Sequence, residues 1–207
     1  MNWRHRITTA LDPIFNQAEP HAIILNDGSL AADTRFTPAA VLIAITDRPD
    51  PGMIFTLRNA SLRAHAGQVA FPGGRLDPED ADSVAAALRE AHEEIGMPRD
   101  VVDVIGQSDK FQTGTGFCID PIVGFVPPDL ALRPAEAEVA AIFEVPLDFL
   151  LDPANCQIKT MEWQGGMRTY HEFLWEDHRI WGVTAAMLVN LAKRIETADA
   201  LHAPGQR

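Results

Sequence analysis

Cysteine is scarce. The two present, Cys118 and Cys156, cannot build a disulfide framework in a chain of 207 residues, and they read as reduced thiols in the core of a cytoplasmic protein. Positive charge is short as well: 17 Lys and Arg stand against 29 Asp and Glu, a net charge of −12. Nucleic-acid backbones are gripped by clustered Lys and Arg, which argues against a nucleic-acid partner. The same acidity repels an anionic small molecule unless a bound cation reverses the field locally. No apolar run approaches the roughly 20 residues that cross a bilayer. The opening stretch MNWRHRITTALDPIF has no unbroken apolar segment of the kind a signal peptide needs. Neither a membrane partner nor export is expected. Internal repeats and low-complexity tracts are missing too.

What is present is a 46% hydrophobic share, enough for one ordinary globular core. Residues 31–197 read as a single domain, preceded by a helix and loop extension over 1–30 and followed by a flexible tail over 198–207. Ile7, Ala10, Leu11, Ile14 and Phe15 recur at helical spacing, so 4–16 is expected to be a short amphipathic helix. Pro20 and Asp27-Gly28 mark a loop. AAVLIAIT (39–46) and MIFTLR (53–58) read as strands separated by the turn cluster DRPDPG. DVIGQSDKFQT and DPIVGFVPP flank a Gly/Thr turn, and AEVAAIFEV leads as a strand into a short helix opened by Pro146. CQIKTMEWQGGMRTYHEFLWE carries a hairpin signal at Gly165-Gly166, and 183–195 reads as a helix. Strands interleaved with a few helices point to an α/β or α+β sandwich, and the hairpin signal favours a mixed sheet over an all-parallel one.

The stretch FPGGRLDPEDADSVAAALREAHEEIGM (71–97) is the informative one. Asp80, Asp82 and Ser83 precede a periodic run as N-caps do, and Gly96 follows it, so the helix is expected over 83–95. Val84, Ala87, Leu88, Ala91 and Ile95 form its apolar stripe, with Glu90, Glu93 and Glu94 on a neighbouring face. Like charges at that spacing cost a few tenths of a kcal/mol each, and the helix dipole disfavours them in the C-terminal half. A solvated acidic face is the ordinary explanation of such a pattern. A divalent cation removes both penalties, since Mg²⁺ prefers carboxylate oxygens and completes its shell with waters and phosphates. Pro72-Gly73-Gly74 just ahead of the helix permits a sharp turn or a close approach by a ligand.

Gly74 to Met97 resembles the Nudix hydrolase signature, G-x5-E-x7-R-E-U-x-E-E-x-G-U, where U is bulky and apolar. Arg89-Glu90-Ala91-His92-Glu93-Glu94-Ile95-Gly96-Met97 fits, with Ala91 small for its position. Gly74 to Arg89 is one residue longer than the signature, which leaves its first acid open among Glu79, Asp80 and Asp82. Arg58-Asn59, Arg63, His65, Gly67-Gln68-Val69 and Phe71-Pro72-Gly73-Gly74 resemble a second motif, that of the coenzyme A diphosphatase subgroup, close to L-L-T-x-R-[SA]-x3-R-x3-G-x3-F-P-G-G. Asn59 stands where that motif has Ser or Ala, and the same subgroup carries the longer Gly-to-Arg spacing. The two motifs cover residues 53–97, with softer similarity over roughly 35–195.

The resemblance implies an α/β/α sandwich with a mixed sheet. It also implies a diphosphatase that cuts coenzyme A or acyl-CoA to 3′,5′-ADP and 4′-phosphopantetheine or its acyl form. Rival readings are a Nudix enzyme acting on ADP-ribose, NADH or another nucleoside diphosphate derivative, and a non-catalytic Nudix-fold module. Glu90 and Glu94 become direct ligands of Mg²⁺ or Mn²⁺. Glu93 becomes a further ligand or the group that orients or deprotonates water, and Glu138 an additional acid opposite the helix. Arg89 is expected to orient a glutamate. Arg58 and Arg63 are candidate phosphate-facing cations, joined in substrate binding by Gln68, Gly73 and Gly74. Trp163, Trp175 and Trp181 are candidates either for adenine stacking or for the core. Monomer and homodimer are both compatible with the sequence.

Overall fold

The computed structural model describes residues 2–12, 35–62, 65–163 and 166–202. Its centre is strand β1, Thr37–Thr46, whose alternation sends Ala40, Leu42 and Ala44 to one face and Ile43 and Ile45 to the other. Strand β7, Phe117–Val126, lies parallel to it, from Thr37 opposite Phe117 to Thr46 opposite Val126. On its other edge β1 meets two antiparallel neighbours in turn. Strand β2, Gly52–Arg58, pairs near its C-terminal end, and the short strand β4, Gly73–Arg75, covers Ala39 to Val41. Strand β3, Val69–Ala70, and strand β8, Val139–Pro146, extend the sheet from β2. Strand β5, Asp103–Gln107, and strand β6, Phe111–Gln112, pair with β7. The sheet is mixed, as expected.

Helix α2, Ser83–Ile95, packs on one face through Ala86, Ala87, Ala91 and Ile95 against Ala40, Leu42, Ile54 and Ile122. Three small side chains let this helix lie close to the sheet. The opposite face is covered by helix α1, Trp3–Leu11, helix α4, Gly182–His202, and a second antiparallel sheet. That sheet consists of β9, Gln157–Trp163, β10, Gly166–Trp175, and β11, His178–Trp181. Helix α3, Leu147–Leu151, follows Pro146. The layers are therefore helix, sheet, then helices with a small sheet.

Several boundaries moved. The helix expected over 4–16 stops at Leu11, where Asp12 turns extended with φ −60° and ψ 127°. Asp12 precedes a proline, which disfavours helical backbone. Ile14, Phe15 and the loop at Pro20 and Asp27-Gly28 lie outside the described residues. The last helix runs to His202, past Ala198 where the tail was expected to begin, because Ile195 and Ala198 are still packed in the core. Cys118 and Cys156 are free but only half-buried, at the margin of the core rather than in it. No helix among the described residues is long and apolar enough to cross a membrane.

Candidate active site

Three elements converge at one end of the main sheet: the C-terminus of β2, the turn into β4, and the C-terminal half of α2. Asp82 caps the helix, its Oδ1 accepting from Ala85 N–H at 2.8 Å, and Gly96 ends it in the left-handed conformation with φ 66°. Between those caps the glutamates have different surroundings. Glu94 is buried against the sheet; Oε2 accepts from Gly73 N–H at 3.1 Å, and Oε1 lies 3.6 Å from the Arg58 guanidinium. Glu90 packs over Gly74, so closely that a Cβ built on Gly74 would lie 2.4 Å from Oε1. Glu93, 55% exposed, turns outward.

Arg89 ties this face together. Its side chain is only 15% exposed, so it is not a surface ion-pair partner. Nε and Nη2 donate to the Asp80 carboxylate at 3.0 and 2.9 Å, and Nη1 donates to Glu90 at 3.0 Å and to Glu93 at 3.1 Å. Nη2 also donates to Arg75 O at 3.0 Å, anchoring the guanidinium to the end of β4. Of the three acids left open by the spacing, Asp80 is the one on Arg89, Asp82 is the N-cap, and Glu79 is exposed. Hydrogen bonding to Arg89 holds the Asp80 carboxyl below the usual carboxylate range and pushes the Arg89 pKa further up.

The buried glutamates shift the other way. Burial raises Glu94 to about 7; the Gly73 N–H and Arg58 oppose the rise, and the charges of Glu90 and Glu138 add to it. Burial likewise raises Glu90, with Arg89 opposing and Glu93 and Glu138 adding. Glu138 is itself exposed, at the start of β8, yet its charge reaches both helix carboxylates. Glu90 and Glu94 thus share the buried side of this face, Glu93 lies at its margin, and Glu138 acts on the two buried carboxylates through its charge.

Arg58 lies at this end of β2 with its Nε buried and without a hydrogen-bond partner. Its backbone closes a loop, since Arg58 N–H donates to Gln68 O at 3.0 Å and Gly67 N–H to Arg58 O at 3.1 Å. The Gln68 side chain meets His65 Nδ1 at 2.9 Å, not the glutamates. Arg63 lies outside the described residues. Trp175 packs on Phe149 and Trp181 on Tyr170, while nothing is described of the Trp163 side chain. His92 is exposed, its ring on Met97 O.

Hard oxygen donors with raised pKa values and an unpartnered guanidinium nitrogen suit a divalent cation and a phosphate respectively. Among the described residues no group of three or more His, Cys, Asp or Glu is gathered tightly enough to hold a metal. Arg89 engages Glu90 and Glu93, while the Gly73 N–H and Arg58 engage Glu94. Two contacts had no signal in the sequence, the Gly73 N–H on Glu94 and the Asn59 side chain on Glu136 O; both join elements distant in the chain.

A family model described as NUDIX domain matches residues 36–165. Among curated proteins, "Uncharacterized Nudix hydrolase NudL" of Photorhabdus laumondii is 42% identical over 158 residues, 76% of this chain and 84% of that protein. The protein of the same description from Escherichia coli (strain K12 / DH10B) is 44% identical over 157 residues, 76% of this chain and 82% of its own. Among solved structures, a MutT/nudix family protein from Enterococcus faecalis superimposes with a TM-score of 0.51 at 10% identity, covering 95% of this chain and 75% of that one. At that identity the likeness speaks for the fold.

Proposed function

The chain belongs to the Nudix hydrolases, enzymes that use divalent metal ions to act on small-molecule diphosphates, and on that premise we propose that its substrate is coenzyme A or an acyl-CoA. The products would be 3′,5′-ADP and 4′-phosphopantetheine or its acyl form. One observation carries the reading: Arg58, the arginine of the coenzyme A diphosphatase motif, reaches the catalytic helix, 3.6 Å from Glu94, with its Nε left unpaired. The motif that selects the substrate and the helix that performs the chemistry share this contact.

Glu90 and Glu94 would hold Mg²⁺ or Mn²⁺, with Glu138 and Glu93 as further carboxylates. The cation, when bound, neutralises diphosphate charge and lowers the pKa of water. The rest belongs to the chain. Glu93 and Glu94 are the candidates to orient the attacking water or take its proton, with Glu94 held near a neutral pKa by burial. Arg89 keeps Glu90 and Glu93 in place through Asp80, the candidate first acid of the signature. Gly73 and Gly74 admit the substrate close to the backbone, and Arg58 and Arg63 receive its phosphates. Gln68 acts in substrate binding by fixing the loop through its contact with His65. A cytoplasmic location agrees with this chemistry.

A Nudix enzyme acting on ADP-ribose or NADH is the alternative, because the helix serves metal and diphosphate, not the flanking groups. All three helix glutamates are present, which disfavours a silent binding module. The experiment is incubation with coenzyme A, acetyl-CoA, ADP-ribose, NADH and dGTP plus Mg²⁺ or Mn²⁺, with products separated by chromatography. Release of 3′,5′-ADP from the coenzyme A substrates alone is expected. Brisk cleavage of ADP-ribose with coenzyme A untouched overturns the substrate.

A further inference from the structure

Asn59 follows Arg58 at the end of β2, where the coenzyme A diphosphatase motif usually has Ser or Ala. Its carboxamide is engaged on both sides. Nδ2 donates to Glu136 O at 2.8 Å, while Oδ1 accepts from Ser61 N–H at 3.0 Å and from Ser61 Oγ at 2.9 Å. A carbonyl on one side and an N–H on the other leave the amide a single orientation. Serine is too short to span both partners, and aspartate keeps Ser61 but sets a negative oxygen against the Glu136 carbonyl. The Asn59 backbone N–H adds a bond to Glu138 O at 2.8 Å.

Segment 133–138 is thereby strapped from two flanks. On the helix side, Arg133 N–H donates to Ile95 O at 2.9 Å and Ala135 N–H to Glu94 O at 2.8 Å, using carbonyls left free at the end of α2. On the strand side, Asn59 takes the carbonyls of Glu136 and Glu138. The strap thus spans from the strand end that carries Arg58 to the helix end that carries Glu94, and Glu138 is its last residue.

We infer that Asn59 is a positioning residue that sets the reach of the Glu138 carboxylate toward Glu90 and Glu94, and through it the cation affinity of the site. It touches no reacting atom. The inference rests on Glu138 acting at that site as proposed above. Without the side-chain bond to Glu136, the strap is held on the strand side only from Glu138 onward, by the Asn59 N–H and the pairing of Val139 with Arg58, and the Glu138 carboxylate loses the fixed approach that sharing a cation needs.

Titration of the metal-free protein with Mn²⁺, by calorimetry or electron paramagnetic resonance, tests this in wild type, Asn59→Ser, Asn59→Asp, Glu138→Gln and the Asn59→Ser/Glu138→Gln double variant. Kinetics are measured in parallel on whichever diphosphate the wild type cleaves. Asn59→Ser is expected to weaken Mn²⁺ binding about tenfold and lower kcat to a similar degree, with KM within about twofold. Asn59→Asp, lacking the donor, is expected to do the same. In the Glu138→Gln background, Asn59→Ser is expected to add nothing. Wild-type Mn²⁺ affinity in Glu138→Gln overturns the role of Glu138 and the inference with it. A weakened Glu138→Gln combined with a silent Asn59→Ser, an additive double variant, or an Asn59→Asp equal to wild type overturns the inference alone.

Discussion

The backbone N–H of Gly73 donates to Glu94 Oε2 at 3.1 Å, joining the turn before the acidic helix to the last glutamate on it. The turn holds the carboxylate at the sheet end beneath the helix, where burial raises its pKa to about 7. A proton would therefore compete, near neutrality, with the cation proposed to bind at Glu94. Positions on either side of this bond make distinct predictions.

Glu94→Gln is expected to abolish turnover and to stabilise the metal-free protein at pH 8. A carboxyl whose folded pKa lies above its unfolded value contributes stability below the unfolded pKa and loses it as pH rises through the folded one, here about 7. The glutamine keeps the Gly73 contact without the charge. Melting temperatures of metal-free wild type and variant at pH 5 and pH 8 check this. The gain is expected to be greater at pH 8, and a variant no more stable there contradicts the burial argument.

Gly73→Ala and Gly74→Ala should differ in kind. Gly73 has φ 158°, and a Cβ there would lie 2.4 Å from Ala40 O and 2.6 Å from Val41 Cα, both backbone. Loss of at least about 2 kcal/mol of stability is expected. At Gly74 the obstruction is the mobile end of Glu90, so the variant should fold, with Glu90 displaced and activity down. Urea unfolding alongside kcat measurement separates the two.

Asp80→Asn is expected to reduce both activity and stability at neutral pH. The Asp80 pKa is depressed by Arg89, so its contribution is present above the unfolded value of roughly 3.9 and fades as pH falls through the lower folded value. The stability difference between wild type and variant should close below about pH 4. A difference independent of pH would mean that packing, not charge, is what Asp80 supplies.

Arg58→Gln is expected to lower kcat/KM by about 10–100-fold, the magnitude of a lost charged hydrogen bond to phosphate. Arg58 also opposes the rise of the Glu94 pKa, so the acidic limb of the kcat/KM profile should move to higher pH. Steady-state kinetics across pH 5–9 reads both effects.

The acidic helix was legible to the residue, Ser83 to Ile95, because Asp82 and Gly96 carry local cap chemistry and the alanine stripe carries the period. Strands β1, β2 and β8 and the hairpin of β9 and β10 were legible from apolar runs and turn residues. Strands β3, β4 and β6 were not, since elements of two or three residues have no period to read. Strand β11, four residues long, was missed for much the same reason.

The sequence alone determined the chemistry's raw material: three glutamates at helical spacing, a glycine turn ahead of them, and the arginine motif beginning at Arg58. Local spacing and backbone propensity were enough for that, because both act within a few residues. Tertiary structure decided which acid serves Arg89, that Glu94 is buried while Glu93 is exposed, and that Arg58 meets Glu94 across 36 positions of sequence. Burial and charge proximity set those properties, and both are created only when β2, the Gly73 turn and α2 pack at one end of the sheet.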